Sequence, residues 1–237
     1  MQAYLENLSI PDYIQNVKLD IGTSYGANQS QVWLEHDPTT FVFGIEANPD
    51  CIEILRKGNI TVQNPQHPPP ISQENLETRF HLIPVALGNT KEDNARVNFY
   101  KMARDCGTSS VYYPCDPAIG EIKETIQVPM FSLKAFLDVF PWDRFDHIDY
   151  LKIDTQGADL DILMSAGDYL KEKVVYITAE AESAQYHHCG HNTEENMTRY
   201  LDSQGFMRIN HPNTQDPTYI NVKYIHLKHT IFIYQRG

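Results

Sequence analysis

The chain has 237 residues, 41% hydrophobic and 21% charged, an ordinary globular composition able to bury a full core within one domain. Thirty-one acidic residues against 19 Lys and Arg give a formal net charge of −12, which repels phosphate backbones and anionic lipid and argues against nucleic acid or a membrane surface as partner. No apolar run approaches the ~20 residues that span a bilayer, and the start MQAYLENLSIPDY has neither a basic nor an apolar leader region, so a cytoplasmic location is expected.

Apolar runs alternate with helix-like segments, the pattern of a mostly parallel sheet wrapped by helices within a single domain over 1–237. After a lead-in over 1–16, residues 17–21 read as the first strand and about 26–36 as a helix. FVFGIEA (41–47) is the second strand; Asn48 then offers an N-cap, Pro49 the first helical position and Gly58 a stop. QNPQHPPPISQ (63–73) reads as a proline-rich surface loop and 80–87 as the third strand. Two further β runs, 96–102 and 125–131, flank RDCGTSSVYYP and form a small β insertion (89–131) between the third and fourth core strands.

The second half of the sheet occupies 132–237. Ser132 can cap a short helix through Phe140, and 148–153 is the fourth strand. ADLDILMSAGDYL reads as one helix with Leu160, Leu163 and Met164 on a shared face, and 174–181 as the fifth strand. NTEENMTRYLDSQG is a capped helix stopped by Gly205. Two β runs, 206–210 and 229–234, joined by a long loop, suggest an antiparallel end to the sheet. Four cysteines without a CxxC pair read as free thiols.

A strand that ends in a glycine turn and opens a helix aims backbone N–H groups and a positive dipole end at one spot. In DIGTSYG, Gly22 permits the tight turn and Gly26 close packing of the helix start, with Thr23, Ser24 and Tyr25 between them. Glu46 ends the second strand, where dinucleotide-type folds place the carboxylate that accepts hydrogen bonds from ribose hydroxyls. A nicotinamide site would carry a middle glycine, absent here, and Asp20 would sit badly beside a pyrophosphate. Asp20 suits a cofactor with an amino-acid part and a sulfonium, which points to S-adenosyl-L-methionine.

At this point an ordered series of segments, from about 17 to 182, resembles the FkbM-type family of S-adenosylmethionine-dependent methyltransferases. The opening strand and D-[VI]-G-A-N-x-G stand as LDIGTSYG, and E-P-x-P as EANP from Glu46. ALG at Ala86–Gly88, the β run VNFY, the pair Ser109-Ser110 and KIDTQGAD at Lys152–Asp159 follow in order. The resemblance implies a Rossmann-like class I methyltransferase, α/β and doubly wound, with an antiparallel final strand. It also implies that Ala47, Ala86, Ser109 and Ser110 join Asp20, Gly22, Thr23, Ser24, Gly26 and Glu46 around the cofactor. Methyl transfer to a hydroxyl, often on a sugar or a polyketide, is the implied reaction. Thr23-Ser24 replace the usual Ala-Asn, and Gln156 replaces a glutamate.

In-line methyl transfer gains much from alignment, yet a sugar hydroxyl is a poor nucleophile and needs a placed base or a metal ion. Asp154 ends the fourth strand, while Glu180 and Glu182 end the fifth; these carboxylates could hold Mg²⁺ or Mn²⁺. In YHHCGH the ligand spacing is too crowded for zinc, and a histidine base is credible. His187 and His188 are equally placed; His188 is taken as the candidate. Tyr112, Tyr113 and Trp142 could wall the acceptor pocket or simply be core. The expected function is an O-methyltransferase acting on a carbohydrate, such as a glycan or a deoxysugar, or on a related small molecule. The rivals are a nicotinamide-dependent oxidoreductase and a non-catalytic binding module of the same fold.

Overall fold

A computed structural model describes residues 1–6, 8–58, 71–76, 78–209 and 216–227. The first half runs α1 (Gln2–Leu5), β1 (Asn16–Ile21), α2 (Asn28–His36), β2 (Thr40–Ile45), α3 (Pro49–Lys57) and β3 (Phe80–Ile83). An arm follows, made of β4 (Ala86–Leu87), β5 (Ala95–Met102) and β6 (Ile122–Phe131). The second half runs α4 (Leu133–Leu137), β7 (Ile148–Ile153), α5 (Asp159–Met164), α6 (Tyr169–Lys173), β8 (Val174–Ala179), α7 (Glu194–Ser203), β9 (Phe206–Ile209) and β10 (Thr218–Asn221).

Strands covered on both faces read as apolar runs rather than alternations, and every residue of β2 and β8 is buried. Phe41, Phe43 and Ile45 enter a core shared with α4, α5 and α7, while Val42 enters the opposite core with α2 and α3. Helices therefore cover both faces of a seven-stranded sheet of order β3-β2-β1-β7-β8-β10-β9. The pairs from β3 to β8 are parallel and β10 runs antiparallel to both neighbours. This is the doubly wound α/β architecture expected, with the antiparallel strand, last of the described strands in the chain, set between β8 and the edge strand β9. The arm forms a second sheet of order β4-β6-β5.

Local signals explain most of the boundaries. The Asn48 side chain accepts from the Asp50 N–H to cap α3, and Gly58 ends it. Ser132 caps α4 and Thr193 caps α7 in the same way. Five expectations need correction. The strand expected over 80–87 is two, because Pro84 has no amide to continue the ladder, and β4 pairs with β6 instead. α2 starts at Asn28 rather than near Gly26, since Ala27 has a left-handed backbone. The helix expected after β7 divides into α5 and α6 at Gly167, whose φ is +62°, and Met164 is exposed. The α4 helix closes at Leu137, short of Phe140. β10 falls in the stretch expected as loop; residues 229–234 and most of the proline-rich segment lie outside the described residues.

No helix among the described residues is long and apolar enough to cross a membrane.

Candidate cofactor and active site

In open α/β sheets ligands bind outside the carboxyl ends of the strands. Here β1, β2 and β7 end together beneath the arm, around a cavity of about 260 Å³. Of the residues expected at the cofactor, Gly22, Thr23, Ser24, Gly26, Glu46, Ala47, Ala86 and Ser109 line it, as does Asp154. Asp20, Ser110, Glu180, Glu182 and His188 do not.

Gly22 joins two strand ends. Its φ is +76°, and a Cβ there would lie 1.8 Å from the Asp154 carbonyl oxygen. Gly26 plays a different part from the one expected: a Cβ would strike the Asn28 side chain at 2.4 Å, within the turn rather than against a strand. Ser24 is left-handed too, and its N–H donates to Glu46 Oε2 at 2.7 Å. Glu46 Oε1 accepts from the Asn48 N–H at 2.7 Å. Burial raises the Glu46 carboxyl to about 7, against the pull of these backbone donors. Thr23 Oγ1 is buried beside them with no hydrogen-bond partner among the described residues.

Asp20 sits behind the cavity. Its Oδ2 accepts from Ser30 Oγ at 2.6 Å, and its Oδ1 lies 3.5 Å from Lys152 Nζ. Burial raises its pKa, with Lys152 opposing. It supports the turn through these partners and is not among the residues that line the cavity. Lys152 is the residue that sequence reasoning missed, although a lysine in an otherwise apolar strand is a signal. Its Nζ donates to the Gly22 carbonyl at 3.1 Å and lies 3.3 Å from Asp154 Oδ2. Burial works against the charge, but Asp20 and Asp154 hold the ammonium well above the usual lysine range.

Asp154 is partly exposed at the cavity wall. Burial works to raise its pKa, yet Lys152 and the Gln156 amide outweigh it, so the carboxylate stays ionised. Gln156 Nε2 donates to Asp154 Oδ1 and to Glu180 Oε2, both at 2.9 Å. Burial, then the charges of Asp154 and Asp159, push Glu180 up to about 9, so it holds its proton at neutral pH. Asp159, fully buried beneath, is raised to about 7 by burial and by Asp154. Ser110 supports the same corner: its Oγ donates to the Gln156 carbonyl at 2.9 Å. Ser109 Oγ accepts from the Met102 N–H and from Asn48 Nδ2, both at 3.1 Å.

The divalent metal expected at Asp154, Glu180 and Glu182 does not fit these residues. The Gln156 NH₂ stands between the first two carboxyls, Lys152 already neutralises Asp154, and Glu182 Oε1 accepts from the Ala184 and Gln185 N–H groups. No group of three His, Cys, Asp or Glu among the described residues could hold an ion. His188 is exposed, in a left-handed turn, and outside the cavity wall; His187 is exposed beside it. Trp142 packs on Phe140 and Tyr169, and the Tyr112 hydroxyl bonds to Asp161, so neither lines the cavity. All four cysteines are free.

The sequence matches the family model of the methyltransferase FkbM domain over residues 20–208. Among solved structures, the precorrin-6y C5,15-methyltransferase from Geobacter metallireducens GS-15 is similar, with 15% identity and a TM-score of 0.39, over 92% of this chain and 83% of that one. The comparison with curated proteins found no match. Methyltransferases of this kind use S-adenosylmethionine in general, and the nicotinamide reading falls away. The ordered motifs, the sheet that carries them and the match over most of the chain agree: this chain belongs to the FkbM methyltransferase family.

Proposed function

We propose that the protein transfers a methyl group from S-adenosylmethionine to a hydroxyl of a neutral carbohydrate or a related polyhydroxylated small molecule. The observation that carries the cofactor half is Glu46 on the cavity wall. Its carboxyl, oriented by two backbone N–H groups, lines the cavity at the end of β2, where it can accept hydrogen bonds from ribose hydroxyls. The bound cofactor supplies an electrophilic methyl on a sulfonium. The residues of the chain then hold the acceptor oxygen in line with it, and alignment supplies much of the rate. Asp154 is an ionised carboxylate on the cavity wall, at the end of β7, and is the group we assign to accept the hydroxyl proton as the new bond forms. Lys152 and Gln156 fix its orientation.

A neutral acceptor suits a chain with a formal net charge of −12, which disfavours a polyanion. The test is methyl incorporation from labelled cofactor into a panel of sugars, glycans, polyketides, short nucleic acids and proteins. Incorporation into a sugar or glycan hydroxyl is expected; incorporation into nucleic acid or protein alone overturns the reading. On the cofactor side, Glu46→Ala should weaken S-adenosylhomocysteine binding by about 2 kcal/mol through loss of charge-assisted hydrogen bonds. Calorimetry giving an unchanged affinity would remove Glu46 from the site.

A further inference from the structure

Four rings outside the cavity form a continuous row, half-buried at Tyr100 and exposed at Tyr113, His187 and His188. Tyr100 of β5 meets Tyr113 edge-to-face, with centroids 5.2 Å apart. Tyr113 meets His187 at 5.7 Å with planes 32° apart, and His187 meets His188 at 6.3 Å. Tyr113 is 50% exposed. An isolated exposed aromatic is ordinary, but a row gathered from three distant stretches of chain is not.

Backbone hydrogen bonds hold the row in place. Tyr100 and Ser110 exchange N–H···O bonds at 2.8 and 3.3 Å, and the His187 N–H donates to the Tyr113 carbonyl at 2.8 Å. The same residues tie the row to the cavity. Ser110 Oγ donates to the Gln156 carbonyl, and Tyr186, next to His187, donates from its hydroxyl to Gln156 Oε1 at 3.1 Å. Gln156 lines the cavity beside Asp154. The row is therefore the outward continuation of the wall that carries the proposed base.

Its chemistry selects among occupants. The exposed aliphatic side chains Val32, Met164, Met207, Val222 and Ile225 stand on other elements, so the row lacks the aliphatic content of a protein-docking patch. Its polar edges are phenol hydroxyls, imidazole nitrogens and the Asn98 amide, which donates to the Tyr100 hydroxyl at 3.4 Å. Flat π faces with hydrogen-bonding rims suit the C–H face and equatorial hydroxyls of a pyranose ring, and the net charge of −12 disfavours an anionic ligand.

We propose that Tyr100, Tyr113, His187 and His188 form a stacking surface for a neutral sugar ring, one that belongs to the acceptor but is not the ring methylated. This rests on the carbohydrate reading above and extends it from a single sugar to an oligosaccharide. The test is saturation-transfer NMR on the intact protein saturated with S-adenosylhomocysteine. Its probes are neutral hexose, deoxyhexose and N-acetylhexosamine oligosaccharides, with a short aromatic peptide and an anionic oligosaccharide as competitors. Transfer to a neutral oligosaccharide, lost in Tyr113→Ala and retained in Tyr113→Phe, is expected. No transfer to any neutral oligosaccharide, transfer undiminished in Tyr113→Ala, or transfer to the peptide or anion alone overturns the proposal. Turnover separates the two readings. If a glycan is methylated, Tyr113→Ala should raise its KM about tenfold with kcat unchanged. An unchanged KM discards the stacking surface and keeps the methyltransferase reading; a sugar bound through Tyr113 but never methylated does the reverse.

Discussion

At Gln156 one side-chain amide serves three partners: its Nε2 donates to Asp154 and Glu180, and its Oε1 accepts from the Tyr186 hydroxyl. The sequence shows a departure from a glutamate here and no more; its meaning lies in Glu180, 24 positions on, which the fold brings alongside. A glutamate at 156 would gather three carboxyls and delete both donors. Gln156→Glu should therefore cost about 1–3 kcal/mol of stability. The loss should grow as pH rises and the added carboxyl is forced to ionise; urea unfolding at pH 5.5 and 8.5 checks this. An equal loss at both pH values would mean that the amide is not what keeps Asp154 and Glu180 together. Residue-scale legibility was mixed for the same reason. Glu46 and the glycine turn are recognisable because the ends of two successive strands follow a known motif, while Lys152 and Glu180 acquire their roles from β7 and the end of β8, for which no such motif speaks. His188 and Glu182 looked suitable by chain position alone, and the turn that holds them points them elsewhere.

Elements were read best where a cap or a buried run marks them. Asn48-Pro49 and Gly58 bracket α3, and Thr193 opens α7, because these signals satisfy orphaned helix-end groups locally. Errors fell where tertiary partners decide. β4 leaves the main sheet to pair with β6, and the short polar-flanked β10 is a strand only because β8 and β9 lie on either side. Two glycines with the same left-handed backbone separate local from tertiary demand. At Gly167 a Cβ would find its nearest neighbour at 3.9 Å, whereas at Gly22 it would overlap the Asp154 carbonyl. Gly167→Ala should cost about 1–2 kcal/mol, the price of the backbone alone. Gly22→Ala should cost more than about 2 kcal/mol, because the ends of β1 and β7 must also part. Denaturant titration of the two variants checks the contrast, and equal costs would mean that the strand ends yield freely.

Across the whole molecule, the carboxyls beneath the site share one bias. Glu46 and Asp159 are raised to about 7, and Glu180 to about 9, each chiefly by burial. The folded chain thus retains protons that the unfolded chain releases near pH 4. The contribution of these groups is complete below their unfolded pKa values and is lost as pH rises through 7 toward 9. Asp154, Asp37 and Asp50, with lowered values, act oppositely but only in the acid range, and Lys18, lowered to about 8 by burial, begins to oppose only above that pH. Stability should accordingly fall between pH 5 and 8. Thermal unfolding across that window checks the sign; a flat or rising Tm would contradict it.

The arm and the loop after β8 are joined by backbone bonds, from the Cys115 N–H to Gln185 and from the His187 N–H to Tyr113. The arm also carries Asp105, Cys106 and Gly107 on the cavity side. Mechanically this makes a single lever with one end over the cofactor cavity and the other at the surface. Anything that steadies one end must steady the other, so each ligand should strengthen the binding of the other by the same factor. Hydrogen exchange gives the readout. Saturation with S-adenosylhomocysteine should slow exchange at the Cys115 and His187 amides, although neither residue lines the cavity. Slowing confined to Gly107 and its neighbours would show instead that the two ends move independently, and neither ligand would then help the other.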